Sequence, residues 1–194
     1  MAVVMSERNL LMIPGPIEFE PAVLRALGEK TRSHLDPVFM KAFARSIKNL
    51  RTVFAAPSAQ PFVIAGSGTL AMEMSVANLI QAGDKALVVN TGYFSDRIAA
   101  MLKRHGAEVT EVKSEPGDAP KVEDVEAALA AGGFKVMTVT HVDTSTAVLA
   151  PVQAYAAAAK KHDVLVVVDG VCSVGGEALE MEAWGVDVAF TASQ

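Results

Sequence analysis

The stretch "DVLVVVDGVCSVGG", residues 163–176, decides how the rest of the chain is read. Val164 to Val168 are aliphatic without a break, so neither face of the segment is suited to water. That pattern belongs to a strand covered on both sides, as in a parallel sheet, and not to the half-solvated strand of an antiparallel one. The run ends in Asp169, followed by small residues. A carboxylate closing such a run is costly to bury unless donors or a cation meet it. Two readings stand side by side: a cap for the next turn, or a partner for a protonated heterocyclic nitrogen.

Five more runs of the same kind flank it: "PFVIA" (61–65), "KALVVN" (85–90), "AEVTEV" (107–112), "KVMTVT" (135–140) and "VDVAFT" (186–191). Helical spacing fills the intervals at 69–81, 95–105, 121–131 and 152–162, the second and fourth closing near His105 and His162, where a cation suits the helix dipole. Strands alternating with helices predict an α/β fold with a mostly parallel sheet and helices on both faces, a three-layer sandwich. Upstream, "PAVLRALGEK" and "PVFMKAFARSIKNLRTVFAA" predict two further helices, each opened by a proline, Pro21 and Pro37. Residues 1–18 read as an extended arm, and 19–194 as one domain.

The 194 residues carry a net charge of −5, which offers no footprint for nucleic acid or an anionic membrane. No apolar stretch reaches the length of a spanning helix, and the first sixteen residues lack the apolar core of a secretory signal, so a soluble protein is expected. Cys172 is the single cysteine, which excludes an intrachain disulfide and favours a reducing, cytoplasmic setting.

Ligands of such sheets bind beyond the carboxyl ends of the strands. Those ends read "GSGT" (66–69), "TGYFSDR" (91–97), "HVDTST" (141–146), Asp169 with "GVCS", and "ASQ" (192–194). Ser67, Gly68 and Thr69 open a helix, where backbone amides and hydroxyls suit a phosphate; an ordinary Ser cap is the competing reading. Gly66, Gly68 and Ala71 fit a relaxed dinucleotide fingerprint, but the next strand ends in Asn90 where that fold wants an acid. Phe94 could cover a flat ring or pack in the core. Thr144 could donate to a ring hydroxyl or form a turn. His141 with Asp143 lacks a further histidine at metal spacing, and no His–Asn/Asp set accompanies Cys172.

The order "IPGP", "GSGT", "NTGYFSDR", "THVDTSTAVL", "VVVDGVCSVGG", "WGVDVAFTASQ" resembles the alanine–glyoxylate and serine–pyruvate aminotransferases, class V of the pyridoxal-phosphate enzymes, over nearly all of the chain from Asn9. The resemblance implies a fold-type I large domain and pyridoxal 5′-phosphate as cofactor. It implies that Ser67, Gly68 and Thr69 hold the phosphate. Phe94 would stack on one ring face, Val171 would pack on the other, and Thr144 would lie near the ring oxygen. Asp169 would pair with the ring nitrogen, Gly15 and Ser173 would approach the substrate carboxylate, and Gln194 would precede the lysine that binds the cofactor covalently. No metal is implied.

The expected activity is transfer of an amino group from alanine or serine to glyoxylate or pyruvate, by a homodimer acting on small amino and 2-oxo acids. With that lysine and the small C-terminal domain lying beyond Gln194 in the family pattern, the 194 residues as given are expected to be inactive. A 2-aminoethylphosphonate transaminase, or a noncatalytic fragment or pseudoenzyme, are the alternatives. A cysteine desulfurase would need a histidine where Phe94 stands. A peroxisomal address would sit at a C-terminus outside this sequence.

Overall fold

In the computed structural model, which describes residues 10–193, the runs around 85, 108, 134, 165 and 188 pair into one parallel sheet. Its strands are β1 (Lys85–Asn90), β2 (Glu108–Lys113), β3 (Phe134–Thr140), β6 (Leu165–Asp169) and β7 (Val188–Phe190), in the order β2-β1-β3-β6-β7. Two short strands, β4 (Val142–Asp143) and β5 (Val148–Leu149), fold the segment after β3 into an antiparallel hairpin. The sequence gives no sign of that hairpin, because two-residue strands carry no periodicity.

The alternation along each strand sorts its side chains between two cores. Leu87, Val89, Met137, Val139, Val166 and Val168 point to one face. There α5 (Val122–Ala130) and α6 (Val152–Lys160) bury Val125, Leu129, Val152 and Tyr155. Ala86, Val88, Val136 and Val167 point to the other face, against α3 (Gly68–Leu79) and α4 (Tyr93–Arg104) through Met72, Val76, Ile98 and Leu102. This is the three-layer arrangement that the apolar runs predict. His105 does more than end a helix: its Nε2 lies 2.5 Å from Glu73 Oε1 and ties α4 to α3.

The expectation of a strand at 61–65 is not met. Phe62 is 76% exposed and the segment forms no ladder. Its composition suits a strand, but a strand exists only with a partner, and no described strand lies beside it. Upstream, α1 (Pro21–Leu27) and α2 (Pro37–Val53) begin at their prolines, and Asp36 caps α2 by accepting from Val38 N at 2.7 Å. Neither helix buries a residue; Val38, Phe39, Met40 and Phe43 of α2 are exposed. Among the described residues no helix is long and apolar enough to cross a membrane.

Strand order reverses between β1 and β3: the chain adds β2 on one side of β1 and β3 on the other. In doubly wound sheets that switch point, at the carboxyl ends, is where a crevice opens.

Tyr155 pins the other layer. Its ring is fully buried, its hydroxyl donates to the Pro120 carbonyl, and burial pushes its pKa up to about 12. Tyr155→Phe leaves that carbonyl without its donor and is expected to lower unfolding stability by about 1–2 kcal/mol in urea titration. An unchanged midpoint would show that the bond contributes nothing.

Candidate functional site

Each wall of the crevice is built by a strand that stops at a polar residue. β1 stops at buried Asn90, whose Nδ2 donates to Asp96 Oδ1 and to Glu111 Oε2, both at 2.8 Å, while its Oδ1 accepts from Gly92 N at 3.2 Å. Burial alone would raise the Glu111 pKa, but Lys103, Asn90 and Lys113 all donate to it and bring it down to about 2. The turn then enters α4. Ser95, fully buried, donates to Thr140 Oγ1 at 3.1 Å, which fastens α4 to the end of β3. Thr146 in the hairpin loop donates to the Thr91 carbonyl at 2.8 Å.

β6 stops at Asp169, which is 5% exposed. Its Oδ1 accepts from Val171 N at 3.0 Å, and among the described residues nothing donates to its other oxygen. Burial, with a smaller contribution from the Asp143 charge, pushes its pKa up to about 6 despite that amide. The segment after it folds back on β7. Gly170 N donates to the Phe190 carbonyl at 2.8 Å, and a Cβ at Gly170 would stand 2.6 Å from Val174 Cγ2, so only glycine fits.

The amino end of α3 completes the crevice. A Cβ on Gly68 would lie 3.1 Å from Val171 Cγ2 and 3.4 Å from Ala192 Cβ, so the helix start sits directly on the Asp169–Val171 turn and on the end of β7. Ser67 caps the helix, its Oγ accepting from Leu70 N at 3.3 Å, as the capping reading expects. The Gly68 and Thr69 amides have no acceptor among the described residues, as first-turn amides of a helix do not, and can donate to an anion.

The structure therefore brings Gly68, Thr69, Val171 and Asp169 to one place, with Ser67 as the cap beside them. Phe94 sits in the first turn of α4, half-buried, at the switch point, its ring edge-on to Tyr93 at 5.3 Å. Thr144, in the hairpin loop after the neighbouring strand β3, meets the turn that follows Asp169, its Oγ1 against Cys172 Sγ. Ser173 is 1% exposed and its hydroxyl lies 2.9 Å from His141 Nδ1, a bond that fixes the loop after β6. Gly15 lies in the irregular arm before α1, half-exposed, and among the described residues makes no hydrogen bond to the strand-end loops. Gln194 falls outside the described residues.

His141 packs its ring edge-on to Trp184 at 6.3 Å, and burial lowers its pKa. Among the described residues no group of three His, Cys, Asp or Glu side chains could hold a metal ion. Sequence reasoning missed Asp143 except as a metal candidate. It is fully buried and accepts from Phe94, on α4, and from Ser145. The signal that could have found it is the local "DTS" spacing, in which an Asp accepts from the amide two residues on.

This set offers anion-binding amides at one end and a buried, uncompensated carboxylate at the other. Phe94 adds an aromatic ring in the first turn of α4, which follows β1. The set suits a flat ligand with a phosphate and a cationic ring N–H. The family profile described as "Aminotransferase class-V" matches residues 23–194. The chain is 45% identical to alanine–glyoxylate aminotransferase 1 of Saccharomyces cerevisiae, over 96% of this chain and 51% of that protein. It is 34% identical to L-aspartate–glyoxylate aminotransferase of Paracoccus denitrificans, over 98% of this chain and 49% of that one. Among solved structures, an alanine–glyoxylate aminotransferase from Nostoc sp. superposes with a TM-score of 0.91 at 31% identity, covering 100% of this chain and 52% of the other. The fold matches the fold-type I transferases, and the chain spans about half the length of the curated relatives it matches.

The raised Asp169 pKa has a stability signature. An acid whose folded value lies near 6, against 3.8 ordinarily, leaves the fold unpenalised below the lower value. The penalty grows as pH rises between the two and levels off above the upper one, at about 3 kcal/mol. Asp169→Asn keeps an acceptor for Val171 N and removes the charge. Its advantage over wild type in denaturant unfolding of the ligand-free chain is expected to be about 1.5 kcal/mol larger at pH 7.5 than at pH 5. A variant relatively less stable at the higher pH would contradict this account of the carboxylate.

Proposed function

The chain belongs to the class-V aminotransferases, and from that premise we propose that it carries the cofactor-shaping part of an enzyme that moves an amino group from alanine, or serine, to glyoxylate or pyruvate, with pyridoxal 5′-phosphate as cofactor. The observation that carries the reading is Asp169: a buried carboxylate with one oxygen free, at a strand end, beside a helix start with free amides. A neutral ligand would leave that charge uncompensated; a ring N–H supplies what it lacks.

When bound, the cofactor supplies a conjugated cationic ring that takes up the electron pair left as the Cα–H bond of the amino acid breaks. The chain's own residues set the conditions for that. Asp169 keeps the proton on the ring nitrogen. The Gly68 and Thr69 amides, with the Ser67 and Thr69 hydroxyls, hold the phosphate at the positive end of α3. Phe94 covers one face of the ring and excludes water from it, and Val171 supports the other. Thr144 meets the ring hydroxyl. The base that moves the proton is the lysine that the resemblance places directly after Gln194, so transfer itself is proposed for the product of the complete reading frame.

Glyoxylate as acceptor is supported by the names of the Saccharomyces, Paracoccus and Nostoc relatives, which share it. A homodimer is part of the proposal, supported by the exposed apolar face of α2, which solvent disfavours. Pairing Asp169 with a cation also implies that the cofactor stabilises the fold more above pH 6 than below it.

The product of the complete reading frame, supplied with cofactor, alanine and glyoxylate, is expected to form pyruvate and glycine in equal amounts. Serine and aspartate, tested as donors beside alanine, fix the donor preference. Transfer from neither alanine nor serine, or from 2-aminoethylphosphonate alone, would overturn the proposal.

A further inference from the structure

Helix α4 has no cap of its own. Gly92 holds the N-cap position and carries no side chain to accept from the first turn, where Ser, Thr, Asp or Asn would ordinarily serve. The acceptors come from the loop after β3. Ser145 Oγ accepts from Tyr93 N at 2.9 Å across 52 residues, and Asp143 Oδ2 accepts from Phe94 N at 3.2 Å across 49. The other Asp143 oxygen, Oδ1, accepts from Ser145 N at 3.0 Å and from Ser145 Oγ at 2.6 Å. The two side chains thus form a short relay, with Asp143 completely buried at its inner end.

The fit is close enough to dictate the sequence of the opposite loop. A Cβ at position 92 would stand 2.9 Å from Asp143 Cγ and Oδ2 and 2.5 Å from Ser145 Oγ, so a residue able to cap α4 locally cannot be placed there. Glycine at 92 and the carboxylate at 143 are one device. Both oxygens of Asp143 are used as acceptors, and only a carboxylate offers that. An asparagine must turn its NH2 toward either the Phe94 amide or the Ser145 donors, whichever way the amide is flipped.

We infer that Asp143, relayed by Ser145, is the positioning residue for Phe94: a helix cap supplied from another strand end that fixes the first turn of α4, and with it the Phe94 ring, at the switch-point crevice. The inference rests on the proposed role of Phe94 against the cofactor ring. A cap made by residue 92 itself would hold the helix but would leave the two loops joined only through Thr146 to Thr91 and Ser95 to Thr140. This one sets the aromatic wall and the Thr144 wall in a single register, because Thr144 lies between the two capping residues.

Amide hydrogen exchange on the cofactor-free chain tests the cap, and cofactor titration tests its purpose. In Asp143→Asn, exchange at Tyr93 and Phe94 is expected to quicken by about tenfold or more, with α5 and β3 amides unchanged. Ser145→Ala, at an exposed position, removes the Tyr93 acceptor with less risk to folding and is expected to quicken Tyr93 by a similar factor. In titration, Asp143→Asn is expected to raise the Kd for pyridoxal 5′-phosphate about tenfold in the wild-type background and by much less in a Phe94→Ala background, where only the loss of the Asp143 charge near Asp169 is felt. Unchanged protection at Tyr93 and Phe94, acceleration spread over the whole sheet, or the same loss of affinity in both backgrounds would overturn the inference. A chain that does not bind the cofactor at all would sink the functional reading instead, and the exchange result alone would then decide the cap.

Discussion

Parallel pairing of β3 with both β1 and β6 is the constraint on which the site depends. Because the strands run the same way, Asn90, Thr140 and Asp169 end side by side, at paired or neighbouring register positions. Every loop that carries polar chemistry leaves from that edge. The helices cannot contribute there except through their amino ends, and α3 and α4 do so. An antiparallel sheet of the same composition would scatter the same residues over two edges. Hydrophobic burial on both faces holds the pairing in place: about 0.8 kcal/mol per buried methylene makes a one-residue slip, which would exchange the two cores, prohibitive.

Within that frame the strand-end residues divide by what they do with their hydrogen bonds. Asn90, Ser95, Thr140, Asp143 and Ser173 direct theirs inward, to one another or to the backbone, and lock the loops. Gly68, Thr69 and one oxygen of Asp169 keep theirs unspent. The Asp169 charge is the clearest case, since a structural cap would not need to be held near pKa 6 in a nearly closed setting. Groups left in an unfavourable state by a fold are candidates for ligand contact, because the ligand can relieve them. This is the physical link between the stability of the ligand-free chain and the proposed cofactor role.

Much of this was legible in the sequence. The unbroken aliphatic runs of β1 and β6 and the β-branched run of β3 announced buried parallel strands, the prolines at 21 and 37 marked helix starts, and Asp169 stood out because a carboxylate does not belong at the end of "VLVVV" without a reason. The failures share a cause: they concern partners distant in sequence. "PFVIA" has the composition of a strand, but no described strand lies beside it to make it one. The bond between Ser173 and the buried His141 likewise joins residues 32 apart in sequence. Asp143 looked like a weak metal candidate, because the amide it caps belongs to a helix 49 residues upstream. Local propensity reaches four or five residues; long-range polar pairing is set by topology.

The central claim is that Asp169 and its surroundings are built to hold a protonated ring nitrogen. The most direct measurement is the nitrogen-15 chemical shift of ring-labelled pyridoxal 5′-phosphate bound to the protein at pH 8, in wild type and in Asp169→Asn. The account predicts a protonated ring nitrogen in wild type and an unprotonated one in the variant. The same shift in both proteins, or an unprotonated nitrogen in wild type, would contradict it.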